Sequence, residues 1–378
     1  MKKKAILFIN QSSGYLMIDI INAHEEYYDE IILLTGFLNP RETPLHRKVK
    51  VKHLIQYKRT SGVLRLFTWL FFWLQSLWYV FVKYKSYSLY LVSNPPLNVF
   101  TARWTKRDLA YLVYDVFPEA LVKHNILNKK SWIYRYWEES NQRMYKNAKR
   151  LFTLSHGMKK AMKVPEFEEN KLDVVSVWTN NTFFKDITSQ NNEFIKKHDL
   201  HDKFVISYSG NLGKTHPVEK IIELAQKLVD EHDISFLIIG NGDKKDQLLK
   251  MQEKISLPNL KILDFQSTTL FPHVLATVNI GVVTLESDAG DLSVPSKTFN
   301  LMSAGKPILS ISKNSSELAQ IVNANKIGQN FSENEIDKMC DFILKLKSNP
   351  DKYQEMQIAS KKTSLMFSSD NAKKMILN

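Results

Sequence analysis

The sequence holds one cysteine, Cys340, among 378 residues. No disulfide can form within the chain, and a reducing compartment is the expected setting. No low-complexity tract occurs, and no repeat with a period of about 20–50 residues, which excludes solenoids and propellers. No apolar run reaches the roughly 20 unbroken residues of a spanning helix. No nucleic-acid-binding motif is present. Asp288 and Asp291 are not spaced as Asp-x-Asp and no histidine supports them, so no metal site is expected. The N-terminal MKKKAILFIN is basic and then apolar. Its apolar run is only about five residues and no small-residue cleavage site follows, so it reads as a first β-strand and not as a signal peptide.

What is present is a globular balance of 44% hydrophobic and 24% charged residues, over a length that suits two domains. The net charge of +13 is unevenly placed. Residues 1–186 carry 29 Lys+Arg against 16 Asp+Glu, whereas residues 187–378 carry 23 of each. The whole excess therefore lies in the first half, where it suits an anionic lipid, a phosphorylated substrate or nucleic acid.

Strands are predicted at Ala5–Asn10, Glu30–Thr35, Val49–Leu54, Ser88–Ser93, Leu109–Asp115 and Arg150–Ser155, with helices between them. A polar stretch at Asn180–Asn192 separates the halves. The second half alternates again, with strands predicted at Phe204–Gly210, Ile234–Ile239, Leu260–Phe265, Ile280–Leu285 and Pro307–Ile311. Helices are predicted at Val218–His232, Lys244–Ile255, Leu270–Thr277 and Ser296–Ala304. Such alternation gives an α/β fold with mainly parallel, doubly wound sheets. The boundaries read as 1–183, 184–365 and a C-terminal segment, 366–378, packing back on the first domain. The segment Gly62–Tyr84 is crowded with Trp and Phe between Arg59, Arg65, Lys83 and Lys85, but Arg65, Thr68, Gln75 and Ser76 interrupt it. It reads either as an interfacial helix or as a buried one, in preference to a span.

Three runs in the second half suit a diphosphate. FVISYSGNLGK ends a strand at Gly210, Asn211, Gly213 and Lys214, where backbone N–H groups and a lysine can meet an anion. FLIIGNGD repeats the device at Gly240 and Gly242. GDLSVPSKTFNLMSAGKPI places Pro295 and Ser296 at a helix start. Lys297 follows in the first turn, a poor position for a cation unless a phosphate shares it. Asn300 lies three residues on, within reach of a ribose hydroxyl. In the first half, Asp115 and Glu119 sit at a strand's carboxyl end, where either can orient an acceptor hydroxyl or serve a helix start. His156 in TLSHG is a further candidate.

The order YSGNLG, IGNGD, VPSKTFNLMSAGKPI resembles glycosyltransferase family 4, in its bacterial capsule, O-antigen and exopolysaccharide branch. VSNPPL (92–97), YDVFPEA (114–120), TLSHGM (153–158) and VWTN (177–180) are similar to that branch in the same order. The resemblance implies a GT-B fold, two Rossmann-like domains facing across a cleft. It also implies retaining, metal-independent transfer from a nucleotide sugar, most simply a UDP-sugar, in surface polysaccharide synthesis. On that implication Gly210, Lys214, Ser296 and Lys297 surround the diphosphate. Gly240 with Asp264, Phe265 and Gln266 lines the base, Asn300 meets the ribose, and Glu317 in SSELA is a further donor-side residue. Lys297 and Lys214 are the expected catalytic cations, with Asp115 and Glu119 on the acceptor. No cofactor is expected beyond the nucleotide-sugar co-substrate. The expected partners are a polyprenyl-diphosphate-linked saccharide and an anionic membrane surface, at the cytoplasmic face, with no nucleic acid. The alternatives are a GT-B sugar-nucleotide epimerase and a non-catalytic basic protein that binds membrane or nucleic acid. The family often carries two glutamates seven residues apart; here the second position is Asn300, and Glu286, Asp288 and Asp291 are candidates for the first.

Overall fold

The computed structural model describes every residue except 1–2, 41–42, 59–60, 124, 180–186, 188–190, 214–215 and 286–293. The chain folds as two units, Met1–Ser176 with Ser369–Asn378, and Val177–Ser368.

In the first unit, strands β1 (Ala5–Ile9), β2 (Glu30–Thr35), β3 (Val49–His53), β4 (Ser88–Val92), β5 (Leu109–Val113), β6 (Arg150–Thr153) and β7 (Leu172–Val174) form one sheet. Its order is β3-β2-β1-β4-β5-β6-β7, all parallel. The central strands AILFI, EIILLT and LAYLV are almost wholly apolar, as strands covered on both faces must be. The helices are α1 (Tyr15–Ala23), α2 (Gly62–Trp78), α3 (Glu119–Lys123), α4 (Trp132–Asn147) and α5 (His156–Met162). Serine hydroxyls start three of them: Ser61, Ser131 and Ser155 accept from Leu64, Tyr134 and Met158 N–H.

The second unit repeats the plan. Strands β8 (Phe204–Ser209), β9 (Ile234–Ile239), β10 (Leu260–Leu263), β11 (Ile280–Thr284), β12 (Ile308–Ile311) and β13 (Gly328–Phe331) run in the order β10-β9-β8-β11-β12-β13, again parallel. Helices α6 (Glu193–His198), α7 (Glu219–Lys227), α8 (Lys245–Ile255), α9 (Phe271–Thr277), α10 (Ser296–Ser303), α11 (Glu317–Ala324), α12 (Ile336–Ser348) and α13 (Pro350–Ser364) accompany the sheet. In both sheets the first strand lies between the second and the fourth. That is where the winding direction reverses and where open α/β sheets take their ligands.

Three expectations need correction. The α7 helix stops at Lys227, not His232, because the chain turns at Leu228 and Glu231 to enter β9. The divide between units falls after Ser176, not residue 183. Trp178 is buried, and Thr179 donates its N–H to Phe367 O (3.2 Å), which ties VWT to the second unit. For the same reason the return to the first unit starts at Ser369, not 366, since Phe367 packs on Phe299. Most of the polar stretch 180–192 lies outside the described residues.

The returning tail is held by named bonds. Tyr28 OH donates to Leu377 O (2.6 Å), Tyr90 OH to Met375 O (3.2 Å), and Leu377 N–H to His24 Nε2 (3.0 Å). His24 must then carry its proton on Nδ1, which lies 2.7 Å from Ile20 O. Burial among aromatic rings holds its pKa down to about 4.

Candidate functional site

The β8 strand is rich in β-branched and aromatic residues and ends at Gly210, whose φ is +155°. Gly240 follows β9 in the same way, with φ +158°. The two turns press together so closely that a Cβ on Gly240 would sit 1.9 Å from Gly210 O. Only glycine fits there. The turns are also bonded to each other, Leu212 N–H donating to Asn241 O (3.0 Å) and Lys244 N–H to Leu212 O (2.9 Å). A Cβ on Gly242 would meet Leu212 and the Asn211 carbonyl oxygen Oδ1 at 2.7–2.9 Å. Gly210, Asn211, Gly213, Gly240 and Gly242 thus form one compact pair of turns at the carboxyl end of the sheet.

Helix α10 brings a cation to these turns. Pro295 precedes it in extended backbone and Ser296 opens it. One turn on, the Leu301 methyls occupy the space that a Cβ on Gly281 of β11 would take, 2.4 Å away. That contact seats α10 on the sheet, and Lys297, four residues earlier, lies on the same side of the helix. Its Nζ lies 3.5 Å from the centroid of the Tyr208 ring and 2.7 Å from the place of a Gly210 Cβ. The Nζ is buried and has no hydrogen-bond partner among the described residues. Burial pulls its pKa down from 10.5 to about 7. The aromatic face offsets part of the cost of burying an ammonium, and an anion beside it would offset more. Tyr208 also donates its OH to Asn211 O (2.7 Å), so one side chain supports both the lysine and the turn. Lys214 lies outside the described residues, as do Glu286, Asp288 and Asp291.

The other donor-side candidates differ. Asp264 is paired with Lys245, which lowers its pKa, and Lys245 also donates to Asn241 Oδ1 (2.9 Å). Gln266 Nε2 donates to Asp264 O (2.8 Å), and Phe265 is 53% exposed, leaving an aromatic face free for stacking. Asn300 is buried, and its Oδ1 accepts from Thr179 Oγ1 (2.8 Å). The amide proposed for a ribose hydroxyl thus fastens the start of its own unit. Glu317 is the first residue of α11, behind the Ser316 cap, where a carboxylate favours the helix dipole.

In the first unit Asp115 is exposed just beyond β5, and its N–H and that of Tyr114 donate to Ser93 Oγ (3.2 and 2.9 Å). Glu119 starts α3 and accepts from Tyr134 OH (2.9 Å), with Lys163 Nζ at 3.4 Å. It links α3 to α4 and the residue after α5, which is the helix-start reading. His156 is exposed at the first position of α5. The sequence reading missed Tyr208 and Lys245. Alternation along FVISYS puts Tyr208 on one face with Ile206, next to Gly210, and that was the available signal; nothing local marks Lys245 as the partner of Asp264.

The family model for glycosyl transferases group 1 matches residues 190–363. Over 263 residues the chain is 28% identical to WbjE of Pseudomonas aeruginosa, assigned as a glycosyltransferase, covering 67% of this chain and 66% of WbjE. Over 124 residues it is 34% identical to WcaI of Escherichia coli (strain K12), assigned as a colanic acid biosynthesis glycosyl transferase, covering 32% and 30%. The matches therefore span just under two thirds of one relative and less than a third of the other. In structure the chain is similar to Anabaena Alr3699/HepE, solved with UDP-glucose, at a TM-score of 0.71 and 14% identity over 98% of this chain and 97% of that one. The fold is GT-B. Its second unit matches the model for group 1 glycosyl transferases, and the paired glycine turns and Lys297 lie inside the matched segment.

Proposed function

We propose that the protein transfers a sugar, with retention and without a metal, from a UDP-sugar to a lipid-linked or saccharide acceptor in surface polysaccharide synthesis. The observation that carries this reading is the buried Lys297 ammonium, without a hydrogen-bond partner among the described residues, set against the Gly210 turn. A diphosphate placed there takes backbone N–H groups from the turns and full positive charge from Lys297, with Lys214 as the second cation. In the reaction the bond from the anomeric carbon to the donor phosphate breaks and a bond to the acceptor oxygen forms on the same face. The acceptor proton passes to the departing phosphate. One well-placed donor of this kind contributes about 3 kcal/mol to the transition state. WbjE supports glycosyl transfer, WcaI with its colanic acid assignment supports the polysaccharide setting, and the HepE complex with UDP-glucose supports the donor class. Asp115, exposed beyond β5, is the residue for the acceptor hydroxyl. The acceptor is a polyprenyl-diphosphate-linked saccharide at the cytoplasmic membrane face. The test is incubation with UDP-, GDP- and ADP-sugars, with and without a polyprenyl-diphosphate saccharide, measuring released nucleoside diphosphate. Release of UDP that depends on acceptor is expected; no release from any of the sugars contradicts the proposal, and release of a free epimerised sugar nucleotide favours the epimerase.

A further inference from the structure

Helix α2 buries one face against the first unit and leaves a second apolar face exposed. Its inward positions include Thr68 and Ser76, both buried, beside Trp69 and Phe72, with Val80 buried just past its end. Its outward stripe is apolar: Leu66, Phe67, Leu70, Phe71, Leu74 and Trp78 are each 41–52% exposed. These recur at spacings of three and four, so they lie on one side of the helix. The buried hydroxyls are satisfied within the helix, Thr68 Oγ1 donating to Arg65 O (3.0 Å) and Ser76 Oγ to Trp73 O (2.7 Å). Gln11 Nε2 donates to Thr68 O (2.8 Å), and Ile55 N–H donates to Gln75 Oε1 (3.0 Å). The helix with its continuation, Gly62–Lys83, is long and apolar enough to cross a membrane, yet these bonds and the buried side chains fix it along the first unit. It can meet lipid only side-on.

The surroundings select the lipid. Between Glu42 and Asp108 the sequence has no acidic residue, whereas lysine and arginine recur throughout. Lys83 and Lys85, at the end of the helix, are exposed. Trp104, 55% exposed, extends the aromatic surface beyond α2 through Trp73, whose ring lies 6.0 Å away. Tryptophans at the edge of an apolar stripe with basic residues around it match the boundary of a bilayer, apolar below and anionic at the headgroups.

We infer that the outward face of α2, with Trp104 and the basic residues at its rim, is a docking surface for an anionic lipid bilayer. The inference deepens, and for its purpose rests on, the lipid-linked acceptor of the proposed function, but its substance is the geometry of α2. The face lies along the membrane with Phe67, Phe71 and Trp78 below the headgroups and Lys83 and Lys85 among them. The experiment is vesicle flotation of the full chain with phosphatidylcholine alone and with about 30% phosphatidylglycerol, at low and high salt. Binding to the anionic vesicles at least tenfold stronger than to the neutral ones, weakened by salt, is expected. Leu70→Glu/Phe71→Glu is expected to lose binding at least tenfold. If that pair fails to fold, the exposed Lys83→Glu/Lys85→Glu pair decides, with the same loss expected. No binding to anionic vesicles at low salt overturns the proposal, and so does equal binding by the folded variants. A dimer that binds no vesicle and dissociates on Leu70→Glu/Phe71→Glu overturns it too, by showing that a second copy covers the face. UDP binding measured on the same samples keeps this outcome separate from the donor reading.

Discussion

At the end of β8 the chain turns through Gly210 and leaves backbone facing a buried lysine. At the end of β1, the matching strand of the first unit, it turns through Asn10 and Gln11, both fully buried. Asn10 Nδ2 donates to Ser12 O (3.0 Å) and Ser13 Oγ (3.2 Å), and Gln11 Nε2 reaches Ile55 O (3.3 Å) and Thr68 O (2.8 Å). The two sheets share one strand order, so topology alone does not make an anion site. In the second unit, bare glycine backbone meets a lysine with no hydrogen-bond partner among the described residues. Side-chain amides close the equivalent place in the first and tie it to α2, the helix that faces outward.

The largest effect expected from this contrast is on Lys297. Lys297→Met should lower turnover on a UDP-sugar by about a hundredfold or more in a steady-state assay. It should not lower stability. The folded-state pKa of about 7 lies below the ordinary 10.5, so folding favours the neutral lysine. That disfavours the wild-type fold at pH 6 and the penalty fades as pH rises through 7 toward 10.5. The variant, free of the penalty, should be at least as stable as wild type at pH 6, by thermal unfolding without ligand, and the gap should narrow at pH 9. Marked destabilisation at pH 6 would make Lys297 a packing residue.

A smaller effect separates two glycines. Gly240→Ala forces a Cβ onto Gly210 O and should cost about 2 kcal/mol. Gly14, before α1 in the first unit, has nothing within 4 Å of the same added atom, and Gly14→Ala should stay within about 0.5 kcal/mol. Denaturant titration of both variants checks the difference. Equal losses would mean that the close pairing of turns is not special to the second unit.

Much of this contrast could be read in the sequence. Alternating apolar runs and turn residues marked the central strands of both sheets, and SGNLG, IGNGD and VPSK marked the glycine turns and the helix start that carries Lys297, because those features are local. The rest depends on residues far apart in the chain. Thr179 reaches Asn300 across 121 positions, and Tyr134 and Lys163 meet Glu119 from different elements. The orientation of α2 was hidden for a different reason. GVLRLFTWLFFWLQSLW is apolar on nearly every side, so periodicity could not say which face is covered, and only the sheet and Gln11 decide it.

The most direct test is calorimetry of UDP binding to wild type and Lys297→Met at pH 7 and pH 9. If the buried ammonium is the phosphate partner, UDP binding draws a proton onto Lys297. Wild-type affinity should then fall more than tenfold between the two pH values, as the free lysine loses its proton above about pH 7. The variant should bind weakly and with little change. Wild-type affinity that is level across this range and matched by Lys297→Met would contradict the account.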